Sequence, residues 1–286
     1  MIEHKQKENG FKYIEIKNEK AEAKIALQGA HVFHYKELGK PSVLWLSELA
    51  YFEEGKAIRG GIPICFPWFG KHKTDATLAQ HGFARTALWT LILEDEIDSN
   101  TTHIQLQLLS DEKSKALWNY EFDVRLDVVV GSELSVTLSV HNTDSKPFEI
   151  TTALHSYFNV SNIDEVVVKG LDNTSYYDAL DKTEYVQKGE VIIDKEVDRI
   201  YYDVPNKIEL HDGKRKIELT QSNSNSLVVW NPWIEKSKQM ADMNNDAYKN
   251  MLCLETGNIG RKPLTIEANE HCVYGVVLKS YIVEEG

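Results

Sequence analysis

Two arginines stand in segments of the chain that otherwise carry little charge. Arg59 lies near the start of "IRGGIPICFPWFG" (residues 58–70), and Arg85 ends "QHGFAR" (residues 80–85). Two glycines follow Arg59 and permit the positive φ angles with which a backbone bends close to a ligand. A guanidinium beside such a bend can direct two N–H donors at one oxyanion. We therefore expect the two arginines to bind an anionic group.

The same two segments contain further binding groups. Gln80 and His81 offer hydrogen bonds that can converge with those of Arg85. Trp68 offers a flat ring face, which suits the apolar C–H face of a sugar. The two prolines of the first segment lack an N–H donor, which argues against a central strand. The alternative for the aromatic residues is a rigid corner that caps one end of the fold.

His155 and Glu255 are the candidates for proton transfer. His155 lies in the apolar and aromatic segment "TALHSYFNV", and Glu255 follows the apolar run of "MLCLETGNIG". A histidine and a carboxylate can serve as general acid and general base. A carboxylate that ends a buried strand is costly to desolvate unless it is paired or used. The residues alone leave two other interpretations open, a hydrogen-bonded core histidine and a glutamate that caps a turn.

Composition argues against several classes of function. The net charge of −12 opposes binding to nucleic acid or to an anionic membrane. The chain has no apolar run of about 18 residues, and its polar N-terminus predicts no secretory signal. The three cysteines form no CxxC pair, so we expect reduced thiols, a cytoplasmic protein and no metal or cofactor. The GxGxxG and GxSxG patterns of nucleotide-binding proteins and serine hydrolases are absent.

Strand patterns dominate the chain. "FDVRLDVVV" and "LSVTLSV" alternate apolar and polar residues around "GSE", and "KIELHDGKRKIEL" turns at Asp212-Gly213, so each predicts a hairpin. Helix patterns are weak, at residues 111–118 and, weaker still, at 240–251. We therefore predict one all-β domain over residues 1–286, a large antiparallel β-sandwich with few short helices. No coiled coil or apolar helix argues for assembly, so we expect a monomer.

The motifs together resemble a known family. "RGGIPICFPWFG", "QHGFAR", "TALHSYFNV" and "LETGN" occur in this order, with spacing similar to that of the hexose-6-phosphate mutarotases, or glucose-6-phosphate 1-epimerases, a branch of the aldose 1-epimerase superfamily. The resemblance implies a galactose-mutarotase-like supersandwich that binds sugar on a concave sheet face. It implies that His155 and Glu255 are the catalytic pair. The substrate contacts that it implies are Arg59, Gln80, His81, Arg85 and, in "RIYYDVP", Asp203.

The resemblance also implies a reaction, the interconversion of the α and β anomers of a hexose 6-phosphate. Ionised Glu255 would take the proton of the C1 hydroxyl while protonated His155 donates to the ring oxygen, and the ring would open and close again. We expect the carboxylate to raise the pKa of His155 and keep its ring charged near neutrality. Arg59 and Arg85 would bind the phosphate, at about 1.5–3 kcal/mol per charge-assisted hydrogen bond.

The sequence leaves three other functions open. An aldose 1-epimerase for unphosphorylated sugar would have no use for the two arginines. A carbohydrate sensor without activity would have no use for a matched acid and base. A polysaccharide lyase or glycosidase on a related sandwich would generate new reducing ends.

Overall fold

The computed structural model describes residues 1–283, and in this part of the chain strands far outnumber helices. The strands are, in chain order, β1 (Ile2–Gln6), β2 (Lys12–Lys17), β3 (Ala21–Ala26), β4 (His31–Glu37), β5 (Ile64–Cys65), β6 (Thr90–Asp98), β7 (Thr101–Leu109), β8 (Phe122–Val130), β9 (Leu134–Asn142), β10 (Phe148–Ile150), β11 (Thr152–Leu154), β12 (Tyr157–Asn159), β13 (Val167–Lys169), β14 (Ser175–Asp178), β15 (Thr183–Val186), β16 (Val191–Ile192), β17 (Val197–Tyr202), β18 (Lys207–His211), β19 (Arg215–Ser222), β20 (Ser226–Asn231), β21 (Met251–Asn258), β22 (Leu264–Ile266) and β23 (His271–Ile282). The α-helices within residues 1–283 are α1 (Glu112–Leu117) and α2 (Trp233–Gln239).

Two large antiparallel sheets form the body of the protein. The outer sheet has the strand order β16-β13-β18-β19-β23-β9-β8-β7-β6. The cleft sheet has the order β15-β14-β17-β20-β21-β11-β5, and β12 also pairs with β21. A smaller sheet of β1 to β4 and the pair β10–β22 accompany them. The predicted all-β antiparallel sandwich is thus confirmed.

The main hydrophobic core lies between the two large sheets. β8 and β9, predicted as a hairpin, pair with each other and bury alternate residues, so that one face of the outer sheet is apolar. The cleft sheet contributes Leu252 and Leu254 of β21 to the same core cluster. A hydrogen bond of 2.7 Å joins the hydroxyls of Thr152 on β11 and Tyr274 on β23. The two sheets therefore share one buried interior.

The other face of the cleft sheet carries a second buried cluster. It includes Cys253 of β21, Trp230 of β20 and Tyr157 of β12. Side chains alternate along a strand, so Glu255 shares this face with Cys253 whereas Leu254 points into the main core. The cleft sheet thus separates the structural core from the face on which the candidate catalytic residues lie.

Of the two helices predicted from the sequence, one is present in the structure and one is not. The helix predicted at residues 111–118 is confirmed as α1, and the Asp111 side chain caps it by accepting a hydrogen bond from the Ser114 N–H. The helix predicted at 240–251 is wrong, since that stretch is mostly irregular and has one 3-10 turn at Ala247–Asn250. Its asparagine and aspartate residues favour turns over helix interiors. None of the helices in residues 1–283 has the length and apolar character needed to cross a membrane.

Candidate active site

The four sequence motifs meet in one cleft of about 690 Å³ on the exposed side of the cleft sheet. Six of the predicted site residues line this cleft, namely Arg59, Gln80, His81, Arg85, His155 and Glu255. The strand order explains their proximity. β21 carries Glu255, and its neighbours β11 and β12 flank His155. β5, beside β11, lies in the segment that follows Arg59.

Strand register places His155 directly opposite Glu255. Leu154 pairs with Thr256 and Tyr157 pairs with Cys253, so the two candidate residues occupy facing positions between these pairs. His155 Nε2 lies 3.3 Å from Glu255 Oε1. His155 is 7% exposed and Glu255 is 1% exposed. The two groups therefore form a buried pair on the floor of the cleft.

Burial favours the uncharged forms of both members of this pair. It lowers the pKa of His155 well below the usual value for histidine, and the positive field of Arg85 and Arg59 adds to this effect. Burial also raises the pKa of Glu255 well above its usual value, although Arg85 opposes that shift. The expectation that the carboxylate keeps His155 charged near neutrality is therefore wrong, because desolvation is the largest influence on the pKa of His155.

His155 is fixed by stacking of its ring and by a hydrogen bond of its backbone. It stacks on Tyr157 with a centroid distance of 4.7 Å and an interplanar angle of 6°. Tyr157 in turn stacks on Trp45 at 5.8 Å. The His155 N–H donates to the Pro63 carbonyl at 2.9 Å. These contacts fix the ring plane and direct its edge towards Glu255.

Arg59 is fixed by groups from two other parts of the chain. Its Nε donates to Asp242 Oδ2 at 3.2 Å, and its Nη1 donates to the Tyr157 hydroxyl at 2.9 Å. Burial opposes the charge on Arg59, but Tyr157 and Asp242 outweigh it and raise the pKa of the guanidinium. Arg59 is therefore a permanent cation at the cleft. Tyr157 connects it physically to the ring of His155.

The second arginine is positioned by a loop that only glycine allows. Arg85 Nη2 donates to the Gln80 carbonyl at 2.8 Å, which folds the side chain back over its own loop. Gly82 has a φ of +72°, and a Cβ at this position would overlap the Phe66 carbonyl. The Phe83 N–H donates to the same carbonyl at 3.0 Å. The two motif loops are therefore locked against each other.

His81 is a neutral hydrogen-bond donor in this arrangement. Its Nδ1 accepts from the Gly70 N–H at 3.3 Å and lies 3.3 Å from Cys65 Sγ, so the proton of the neutral ring is on Nε2. Burial lowers the pKa of His81 to about 3, and Arg85 adds to the shift. His81 can therefore donate a hydrogen bond to a ligand but does not act as an acid near neutral pH.

Two predicted substrate contacts lie away from the cleft lining. Trp68 is buried, and its indole N–H donates to the Ala79 carbonyl at 3.0 Å, whereas Phe69 reaches the cleft. Asp203 follows β17 with an exposed side chain that pairs with Lys262 Nζ at 3.0 Å. Side chains alternate along β17, which precedes Asp203, so neighbouring residues face opposite sides of the sheet. The short motif did not fix which aspartate faces the cleft, and this accounts for the position of Asp203.

Three charged residues of the cleft were missed by the sequence interpretation, namely Lys71, Asp198 and Lys236. Asp198 lies on β17 on the same face as Ile200, and both line the cleft. Burial raises the pKa of Asp198, and Lys236 of α2 opposes the shift from 4.0 Å. The period-two pattern of "VDRIYY" was a usable signal for Asp198. Lys236 gave no such signal, because its helix was not predicted.

Comparison with known proteins identifies the family of the chain. Residues 12–279 match the family model described as aldose 1-epimerase. A protein of Cenchrus ciliaris, provisionally named glucose-6-phosphate 1-epimerase, is 39% identical over 260 residues, which cover 87% of this chain and 78% of the relative. A protein of the same provisional name from Salmonella typhimurium is 36% identical over 246 residues, covering 85% and 82%.

A solved structure supports the same assignment at the level of the fold. The crystal structure of a provisionally named mutarotase from Salmonella typhimurium superposes with a TM-score of 0.93 and 32% identity. The superposition covers 99% of this chain and 94% of the other. The range that matches the family model, residues 12–279, contains the four motifs and all but the last three residues of the outer sheet. The chain therefore belongs to the aldose 1-epimerase family.

Proposed function

We propose that the protein is an isomerase that interconverts the α and β anomers of a hexose 6-phosphate, with glucose 6-phosphate as the first candidate. The observation that carries the proposal is the contact of 3.3 Å between His155 and Glu255 in a cleft that Arg59 and Arg85 also line. The provisional names of the curated relatives support the choice of substrate. A binding protein needs no acid–base pair, and an enzyme for neutral sugars needs no arginines.

The reaction requires one proton to leave the C1 hydroxyl and one to reach the ring oxygen. Glu255 as carboxylate accepts the first, and His155 as imidazolium donates the second, so the C1–O5 bond opens to the aldehyde. Rotation about C1–C2 presents the other carbonyl face, and closure returns both protons. Each acid or base contributes about 10²- to 10⁴-fold to such a rate. His81 Nε2–H and Asp198 line the same cleft, and we assign to them hydrogen bonds to sugar oxygens.

Substrate phosphate would favour the protonated form of His155. Arg59 and Arg85 both lower the pKa of His155, whereas only Arg85 of these two acts on Glu255. A phosphate dianion on the arginines offsets their field at His155 and so favours the imidazolium form of the ring. Glu255 lies 3.3 Å away and is the nearest carboxyl group that can supply the proton.

We also propose that the enzyme works as a monomer in the cytoplasm and needs no metal or redox cofactor for its reaction. The three cysteines are free thiols, which suits a reducing compartment. The cleft lies within one chain, and its acid, base and arginines all come from that chain. Light scattering of the purified protein tests the monomer directly, and a stable dimer would contradict it.

Anomer exchange measured by two-dimensional exchange NMR tests the proposed function. The purified protein should accelerate exchange of glucose 6-phosphate strongly and that of glucose much less, each relative to the uncatalysed rate. Equal acceleration of both sugars would favour an aldose 1-epimerase for neutral sugar. Tight sugar binding without exchange would favour a sensor. New reducing ends from oligosaccharides would favour a glycosidase or lyase, and each of these results would overturn the proposal.

A further inference from the structure

A third potential metal ligand lies beside the proposed catalytic pair. One ligand atom each of His155, Cys253 and Glu255 lies within 4.8 Å of the other two, and all three residues are buried. Cys253 and Glu255 are two residues apart on β21, so both side chains point to the cleft face of the sheet. In the same register Cys253 lies opposite Tyr157, two residues along the chain from His155, so His155 and Cys253 are diagonal neighbours on this face.

The donor set suits a thiophilic divalent cation. Zinc and cadmium bind thiolate, imidazole and carboxylate ligands, and three protein ligands with one open position are a common zinc arrangement. His155 and Glu255 line the cleft and Cys253 is buried beside them, so the ion would enter the site from the cleft. Glu255 Oε2 is buried and has no hydrogen-bond partner among the described residues, so it has capacity for a further contact. A thiolate and a carboxylate together balance the two positive charges of the ion.

We propose that His155, Cys253 and Glu255 form an inhibitory binding site for Zn²⁺ or Cd²⁺ on the floor of the cleft. Binding involves no redox step. The metal displaces the thiol proton of Cys253 and the carboxyl proton of Glu255 into solvent, and it takes up the lone pair of one His155 ring nitrogen. A bound metal thus occupies both groups that would transfer protons to and from the sugar. The inhibition rests on the proposed function, whereas the binding does not.

Binding is tested without any sugar by titrating the protein with Cd²⁺ and recording cadmium–thiolate charge-transfer absorption in the ultraviolet. The wild type should show this absorption with one Cd²⁺ bound. Cys253→Ser should abolish it, and His155→Ala should weaken the affinity about tenfold or more. Cys272→Ser is a matched control, since Cys272 lies on β23 of the outer sheet and is not part of the cluster. Its absorption should equal that of the wild type.

Two results would overturn the site. One is the absence of thiolate absorption in the wild type, and the other is absorption that disappears with Cys65→Ser instead, which would place the metal at Cys65 and His81. If Cys253→Ser fails to fold, the titration of His155→Ala with Cd²⁺ still decides whether the site exists. An affinity equal to that of the wild type would then overturn it. The proposed inhibition is tested by the effect of Zn²⁺ on anomer exchange. The rate of each variant is compared with its own metal-free rate, and a chelator should reverse the inhibition. A wild type that binds Cd²⁺ but exchanges no anomers would reject the enzyme and keep the site.

Discussion

Arg59 and Arg85 should determine which sugar the site prefers. Each arginine can form charge-assisted hydrogen bonds with a phosphate, and none of these exist with glucose. We expect Arg59→Ala or Arg85→Ala to lower kcat/KM for glucose 6-phosphate by about 10- to 150-fold, which corresponds to about 1.5–3 kcal/mol. The value for glucose should change much less. Exchange NMR with both sugars gives the two ratios.

Arg125→Ala is the matched control for these variants. Arg125 lies on the outer sheet, where it pairs with Asp123 at 2.8 Å and is half exposed. Its removal should leave both sugars unaffected. If Arg59→Ala and Arg85→Ala instead slow glucose and glucose 6-phosphate to the same extent, the arginines shape the cleft and do not select the phosphate.

At the level of single residues, the sequence predicted which residues form the site better than it predicted their protonation and their supporting contacts. His155, Glu255, Arg59 and Arg85 stand in motifs whose residue types are costly to bury, and the structure brings these four together. The protonation of the pair could not be predicted, because it depends on desolvation by side chains that are distant in sequence. Asp242, which holds Arg59, lies in an irregular segment without any motif.

At the level of elements, the contact between the two motif loops depends on Gly82. A Cβ there would overlap the Phe66 carbonyl, whereas a Cβ at Gly39 would meet no atom within 4 Å. The two glycines have similar φ angles of +72° and +78°, so alanine should cost each about 1 kcal/mol in backbone strain. Gly82→Ala should cost about 2 kcal/mol or more beyond that, because the loops must separate. Urea unfolding of the two variants measures the difference, and equal losses would contradict the locked loops.

A second element-level feature makes stability depend on pH. His31 of β4 is buried, its Nε2 lies 2.7 Å from the Gly60 carbonyl, and burial lowers its pKa to about 4. Between its ordinary pKa of 6.5 and this value, the unfolded chain binds a proton that the folded protein does not, so stability is lost as pH falls. This residue should account for a loss of about 2 kcal/mol in the free energy of unfolding between about pH 7 and about pH 5.

His31→Gln keeps a donor for the Gly60 carbonyl but cannot titrate. Its free energy of unfolding should therefore fall by about 2 kcal/mol less than that of the wild type over the same pH range. Urea titrations at the two pH values provide the comparison. The same loss in both proteins would show that His31 is not the titrating group.

Hairpins were predictable because their signals are local, whereas the small elements of the site were not. β8–β9 and β18–β19 have alternating residues on both sides of a turn, and both pair as predicted. β5 is a two-residue strand between two prolines, and α2 has a proline as its N-cap residue without a side-chain capping bond. Their conformations depend on the sheet beside them, which a local pattern does not contain.

At the level of the whole molecule, we propose that the chain folds as one domain. One core cluster joins residues of the outer sheet, the cleft sheet and the sheet of β1 to β4, for example Val124, Leu254 and Ile14. β23, the last described strand, lies between β19 and β9 in the middle of the outer sheet. Far-ultraviolet circular dichroism and tryptophan fluorescence should therefore report a single coincident thermal transition. Two separate transitions would indicate two domains.

The central claim is that His155 and Glu255 transfer the protons that open the sugar ring. The most direct test is the exchange rate of saturating glucose 6-phosphate by NMR, compared among the wild type, His155→Ala and Glu255→Gln, with Glu184→Gln as an exposed control. We predict that each active-site variant folds and loses about 10²- to 10⁴-fold in kcat, while the control matches the wild type. An undiminished rate in either folded active-site variant would contradict the claim.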